Sequence, residues 1–149
     1  MRITYQAIVD PDVKYDARKF AEEVSVYLQD PHGWKSQGYT FEESKRPAVL
    51  IHLSSPKTIQ QNGCDDPTLS CAEMNGRHMH LNAMRWTGSM QNRSKLDLYN
   101  YRQYMVSHEM GHILGKDHVA CPGPGQPAPI MMQQTLGIGE CVPNTRVSR

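Results

Sequence analysis

His108-Glu109-Met110-Gly111-His112-Ile113-Leu114-Gly115-Lys116-Asp117-His118 is the stretch around which the rest of the chain is arranged. Each residue of an α-helix turns about 100°, so His108 and His112 fall about 40° apart, one turn up the same face, where two imidazoles can grip one ion. Glu109 lies beside that face and is poorly placed as a ligand, which leaves it free to take a proton from a water at the ion.

The second half of the stretch decides how the helix ends. Were the helix to continue, His118 would point about 120° away from His112 and lie roughly 9 Å further along the axis, against Zn–N bonds of about 2 Å. Gly115 resolves this: without a Cβ it adopts positive φ at low cost and can swing the chain back toward the ion. Three neutral histidines, His108, His112 and His118, then leave a fourth zinc position open, which separates catalytic from structural zinc. H-E-x-x-H alone arises by accident on solvent-facing helices, but glycine and a third histidine at fixed offsets make one catalytic Zn2+ the better reading.

Upstream, Leu96 to Leu114 reads as the core helix, starting near Asp97 and carrying Tyr101, Tyr104 and Met105 on faces connected to the histidines. Further back, Ile3 to Val9 alternates as a first strand, and Asp16 can cap a helix on which Phe20, Val24, Tyr27 and Leu28 recur at helical spacing. Tyr39 to Glu42 is a short second strand. Ala48 to Leu53, the most apolar β-branched run, is a central strand bounded by Pro47 and Pro56. Residues 56 to 77 read as a long loop, and His78 to Met84 as an exposed strand on which His78 and His80 share a face. Such a histidine pair can hold metal, but the ordinary reading is a solvated one. Beyond His118, Cys121 to Pro129 is too rich in proline and glycine for a helix or a central strand.

At 149 residues the chain has the size of one domain spanning 1–149. With 16 Lys and Arg against 15 Asp and Glu and no basic run, it lacks the electrostatic footprint of a protein that binds nucleic acid or an anionic membrane. The start, Met1 to Tyr5, lacks the apolar segment of a signal peptide, so either the chain is intracellular or it is trimmed. Four cysteines without a C-x-x-C spacing favour two disulfides and an oxidising or secreted location. Three pairings are possible, and the two local ones, Cys64 with Cys71 and Cys121 with Cys141, are favoured.

The fixed positions of residues 108 to 118 resemble the metzincin clan of zinc metallopeptidases, whose signature is H-E-x-x-H-x-x-G-x-x-H/D followed by a methionine turn. Within the clan the chain looks most like a family of small secreted actinomycete proteins. That likeness is carried by Asp30-Pro31-His32-Gly33-Trp34, by Leu81 to Trp86, by Tyr101 to Tyr104, and by the stretch from Cys121 to Met131. The resemblance implies an α+β fold: a twisted, mostly parallel sheet with an antiparallel edge strand, packed on two helices, and an irregular C-terminal part with a methionine beneath the metal. By position Met131 is that methionine, with Met132 the alternative. Gln133 and Gln134 stand where some of these enzymes place a tyrosine, and the long helix usual after the turn is hard to find.

The function these readings imply is a zinc endopeptidase acting as a monomer on a protein or peptide, in which Glu109 moves the proton and the substrate lies extended along residues 78 to 84. Two other readings use the same residues. One is a zinc amidase on cell-wall peptides, and the other a zinc-stabilised binding or effector domain that cuts nothing and has no need of Glu109.

Overall fold

A computed structural model describes residues 1–147; the expected domain over 1–149 also includes Ser148 and Arg149, which lie outside the described residues. Five strands form one sheet: β1 (Arg2–Val9), β2 (Thr40–Glu43), β3 (Val49–Ser54), β4 (Cys71–Ala72) and β5 (His78–Asn82), in the order β2-β1-β3-β5-β4. β1 pairs parallel with β2 and β3, β3 pairs parallel with β5, and β4 runs antiparallel along the edge beside β5. The fold is therefore α+β with a mostly parallel sheet and an antiparallel edge strand.

Four helices accompany the strands, α1 (Ala17–Leu28) and α2 (Pro56–Gln61) between them and α3 (Ala83–Trp86) and α4 (Leu98–Ile113) after the last. α1 and α4 begin where the sequence places their caps. The Asp16 carboxylate accepts from the Lys19 amide at 2.8 Å, and the Asp97 carboxylate from the Asn100 amide at 2.8 Å. One face of the sheet, including Tyr5, Ile51, Leu53, Met79 and Leu81, packs with Phe20 and Val24 of α1 and with Tyr101, Met105 and Met110 of α4. An ion pair of 3.0 Å between Arg102 and Glu23 ties the two long helices together, as does Gln103 Nε2, which donates to the Tyr27 carbonyl at 3.1 Å. Among the described residues no helix is long and apolar enough to cross a membrane.

Two sequence readings need correction. Residues 56 to 77 are not one loop, because α2 opens them: the Ser55 hydroxyl accepts from the Thr58 amide at 3.2 Å, and Pro56 takes the first position, where its missing N–H is not needed. Residues 78 to 84 are not an exposed strand either. β5 ends at Asn82, whose side-chain oxygen accepts from the Met84 amide at 3.0 Å and caps α3. With β3 on one side and β4 on the other, Met79 to Asn82 are buried and His78 is half-buried. Alternation of side chains records faces, not which strand is the edge.

The remainder is held by disulfides. Cys64 is bonded to Cys71 and Cys121 to Cys141, with Cα atoms 6.3 and 5.9 Å apart, so the two local pairings are the ones formed. The first anchors β4 at the sheet edge, and the second closes the segment that runs beneath the end of α4.

Candidate metal centre

α4 delivers His108 and His112 one turn apart, with Glu109 next to His108, and all three are buried. The helix then stops as the sequence requires. Gly115 has φ +87°, its amide donates to the His112 carbonyl at 2.9 Å, and the Lys116 amide donates to the Gly111 carbonyl at 2.8 Å, the paired bonds of a Schellman turn. A side chain at Gly115 would also run into Asn75 Oδ1 of the β4–β5 connection. Reversed by this turn, the chain brings exposed His118 back, and its Nε2 lies 3.0 Å from Nε2 of His112. One donor nitrogen from each of His108, His112 and His118 lies within 4.8 Å of the others.

Carbonyls fix which nitrogen of two rings faces inward. His108 Nδ1 is 2.8 Å from the Ile130 carbonyl and His112 Nδ1 is 2.8 Å from the Lys116 carbonyl. A carbonyl only accepts, so each Nδ1 carries the proton and each Nε2 presents a lone pair. Burial pushes the His108 pKa down to about 3 and lowers that of His112, so both rings are neutral around pH 7. Neutral, oriented imidazoles are the form a metal binds. Tetrahedral Zn–N bonds of about 2.0–2.1 Å place donor nitrogens roughly 3.3 Å apart, and the 3.0 Å between His112 and His118 fits that span.

Glu109 faces the same cavity, of about 270 Å³, as the three histidines. Its Oε2 is buried without a hydrogen-bond partner among the described residues, and burial pushes its pKa up to about 8. Such an atom is costly to leave unpaired, so an acidic side chain kept there beside the neutral rings of His108 and His112 fits a site that holds a cation and a water.

Of the two candidate methionines, Met131 is the one that packs against α4 beside the histidines. A Cβ on Gly111 would collide with Met131 Sδ and come within 2.9 Å of Trp34 Cζ2, so both side chains press against α4 one residue before His112. Trp34 Nε1 donates to the Ser107 carbonyl at 2.7 Å. Met132 packs instead with the small cluster of Ala128, Ile138 and Cys141. Tyr101 and Tyr104 of α4 line the cavity, but their hydroxyls are engaged. Tyr104 donates to the Met132 carbonyl at 3.1 Å and accepts from the Gln134 amide at 2.9 Å, while Tyr101 pairs with Thr135 Oγ1 at 2.8 Å. A short 3₁₀ turn, Gln134–Leu136, follows, and no long helix stands after it among the described residues.

Several lining residues were not singled out from sequence. Ser70, Cys71 and Ala72 of the β4 edge form the wall facing the histidines. Nothing in the local pattern marks them, because their position depends on a disulfide and an antiparallel pairing. Gly111 did carry a signal: glycine inside a helix costs about 1 kcal/mol relative to alanine, so its presence asks for a close neighbour.

A mostly parallel α+β sheet with three convergent histidines at a helix end defines a candidate metal-binding protein. The family model described as "Protein of unknown function (DUF3152)" matches residues 2–144, and the chain belongs to that family. No curated protein matches it. Among solved structures it is similar to "Structure of myroilysin", at 18% identity and a TM-score of 0.44, covering 79% of this chain and 49% of that one. It is also similar to "Crystal structure of myroilysin", at 17% identity and a TM-score of 0.45, covering 80% and 44%. The chain spans less than half the length of either structure.

Proposed function

We propose that this chain is a zinc-dependent endopeptidase of metzincin type, with His108, His112 and His118 holding the ion and Glu109 as general base. The observation that carries the reading is the buried Glu109 carboxylate, with Oε2 unpartnered, on the cavity that the three histidines share. A site that only bound metal would be more stable without it, since a buried unsatisfied polar group costs roughly 1–3 kcal/mol and more when charged.

Bound zinc supplies Lewis acidity, acidifying water toward a pKa of about 7 and polarising a carbonyl. The carbonyls of Ile130 and Lys116 keep the rings of His108 and His112 turned inward while this happens. Glu109 takes the proton of the attacking water and returns it to the amine nitrogen as the peptide bond breaks. Because β5 has β3 along one side and β4 beside Met79 and His80 on the other, the substrate is accommodated at β4 instead: an extended peptide adds to the outer edge of Cys71–Ala72, across the cavity from the histidines. The partner is a protein or peptide, not nucleic acid or membrane, and the chain acts as a monomer in an oxidising compartment that keeps both disulfides formed.

The test is cleavage of a broad peptide library and of peptidoglycan fragments, with metal removed by a chelator and zinc then restored. Peptide cleavage that disappears and returns supports the reading. Full activity in metal-free protein defeats it, cleavage of cell-wall peptides alone moves the assignment to an amidase, and bound zinc with no cleavage of either identifies a non-catalytic domain.

A further inference from the structure

The face of the sheet turned away from α1 and α4 carries a second group of histidines. His52 on β3 stands in register with His80 on β5, their rings stacked with centroids 4.6 Å apart, and His78 stacks beside His52 at 5.3 Å. Asp10 follows the last residue of β1, and its amide donates to the Leu53 carbonyl at 3.0 Å, which sets its side chain beside Ser54. One donor atom from each of Asp10, His52 and His80 lies within 4.8 Å of the others.

We propose that Asp10, His52 and His80 form a second site for a divalent transition cation of the zinc class, joining β1, β3 and β5 on the face opposite the core. Two imidazoles and one carboxylate are a donor set that zinc and its neighbours accept. The outer contacts are those that orient ligands. Ser54, fully buried, donates to Asp10 Oδ2 at 2.6 Å and its Oγ lies 2.8 Å from His80 Nδ1, while His52 Nε2 lies 3.0 Å from His78 Nδ1, which leaves His52 Nδ1 toward Asp10 Oδ1 at 3.1 Å.

Charge balance points the same way. Asp10 is buried, and among the described residues its ion-pair partner is His52 rather than a lysine or arginine. A buried carboxylate is costly unless compensated, and protonating one of three stacked imidazoles makes the others worse neighbours. A dication shared by the carboxylate and the two rings supplies the charge without that repulsion. A cavity of about 380 Å³, lined by His78 and His80 with Asp65 and Glu73, gives an ion an entry on this face.

This inference stands apart from the proposed peptidase site and is tested separately. The full chain, stripped by chelator, is titrated with zinc(II) and with cobalt(II) against a chromophoric chelator. Two equivalents are expected in the wild type, and one in His108→Ala/His118→Ala, where the sheet cluster is intact. Asp10→Asn, which keeps the shape and the bond from Ser54, and His80→Asn are each expected to drop from two equivalents to one. One equivalent in the wild type that is lost in His108→Ala/His118→Ala, or two persisting in Asp10→Asn, would overturn the proposal and leave the cluster as a hydrogen-bonded network. Should both single variants fail to fold, the double variant decides: a cobalt spectrum with one bound equivalent upholds the site, and none sinks it.

Discussion

Met131 Sδ occupies the space that a Cβ on Gly111 would need, so the floor of the histidine group and α4 meet with no side chain between them. Gly111→Ala forces Met131 to move and presses on Trp34, whose ring is pinned by its bond to the Ser107 carbonyl. Overpacking of this kind costs about 1–3 kcal/mol, against a helix-propensity gain of about 1 kcal/mol. Denaturant unfolding is expected to show a net loss of stability together with weaker zinc retention. A more stable variant with unchanged zinc affinity would show that the close approach is not needed.

Glu109→Gln and His118→Ala separate the two roles at the centre. The first removes the proposed base and no proposed ligand, so zinc is expected to stay bound while turnover falls at least ~100-fold. The second removes a proposed ligand that the Gly115 reversal brings to the other two histidines, so zinc affinity itself is expected to fall. Near-normal turnover in Glu109→Gln excludes it as the base, and unchanged affinity in His118→Ala removes that residue from the ligand set.

The stability of chelator-stripped protein is expected to peak near pH 6.5. Folded-state pKa values of His108 and His80 fall from 6.5 to about 3 and about 4, and that of His112 is lowered too, so stability is lost as pH drops below 6.5, where the unfolded chain takes protons the folded one refuses. Glu109 works in the opposite sense. Raised by burial from 4.5 to about 8, it holds its proton in the folded state while the unfolded chain releases it, so stability is lost as pH rises toward 8. Above pH 6.5 the Glu109 contribution dominates, about 2 kcal/mol by pH 8 at ~1.4 kcal/mol per unit. Chemical denaturation across this range checks both limbs, and Glu109→Gln is expected to flatten the alkaline one.

The Cys121–Cys141 disulfide closes a separation of 20 residues around Ile130 and Met131, and a loop of that size contributes roughly 3 kcal/mol in the chain-entropy model. Ile130 supplies the carbonyl that orients His108, so mild reduction is expected to release zinc and abolish activity before the sheet unfolds. Zinc release that coincides with loss of far-UV circular dichroism would show that the segment does not act locally.

What the sequence made legible was local. Asp16 and Asp97 announce their helices through their own side chains, and the turn at Gly115 follows from the reach of His118. The α2 helix was hidden because its six residues run straight into Asn62 and Gly63, so its cap at Ser55 was outweighed by loop composition. The β4 wall and the cluster of Asp10, His52 and His80 were hidden for a different reason. Both depend on which strands become neighbours, and a chain in which residues 10, 52 and 80 meet across three strands carries no spacing that announces it.

The shortness of β4 has a consequence for self-association. An exposed edge strand presents unpaired amides and carbonyls to any similar strand, and long flat edges invite chains to zip together. Here one edge is two residues long and tethered by Cys64–Cys71. The other, β2, exposes Glu42 and Glu43, so a second copy brought alongside would meet like charge. With a formal net charge of only +1, overall repulsion between molecules is weak. Resistance to edge-to-edge aggregation is therefore built into the ends of the sheet.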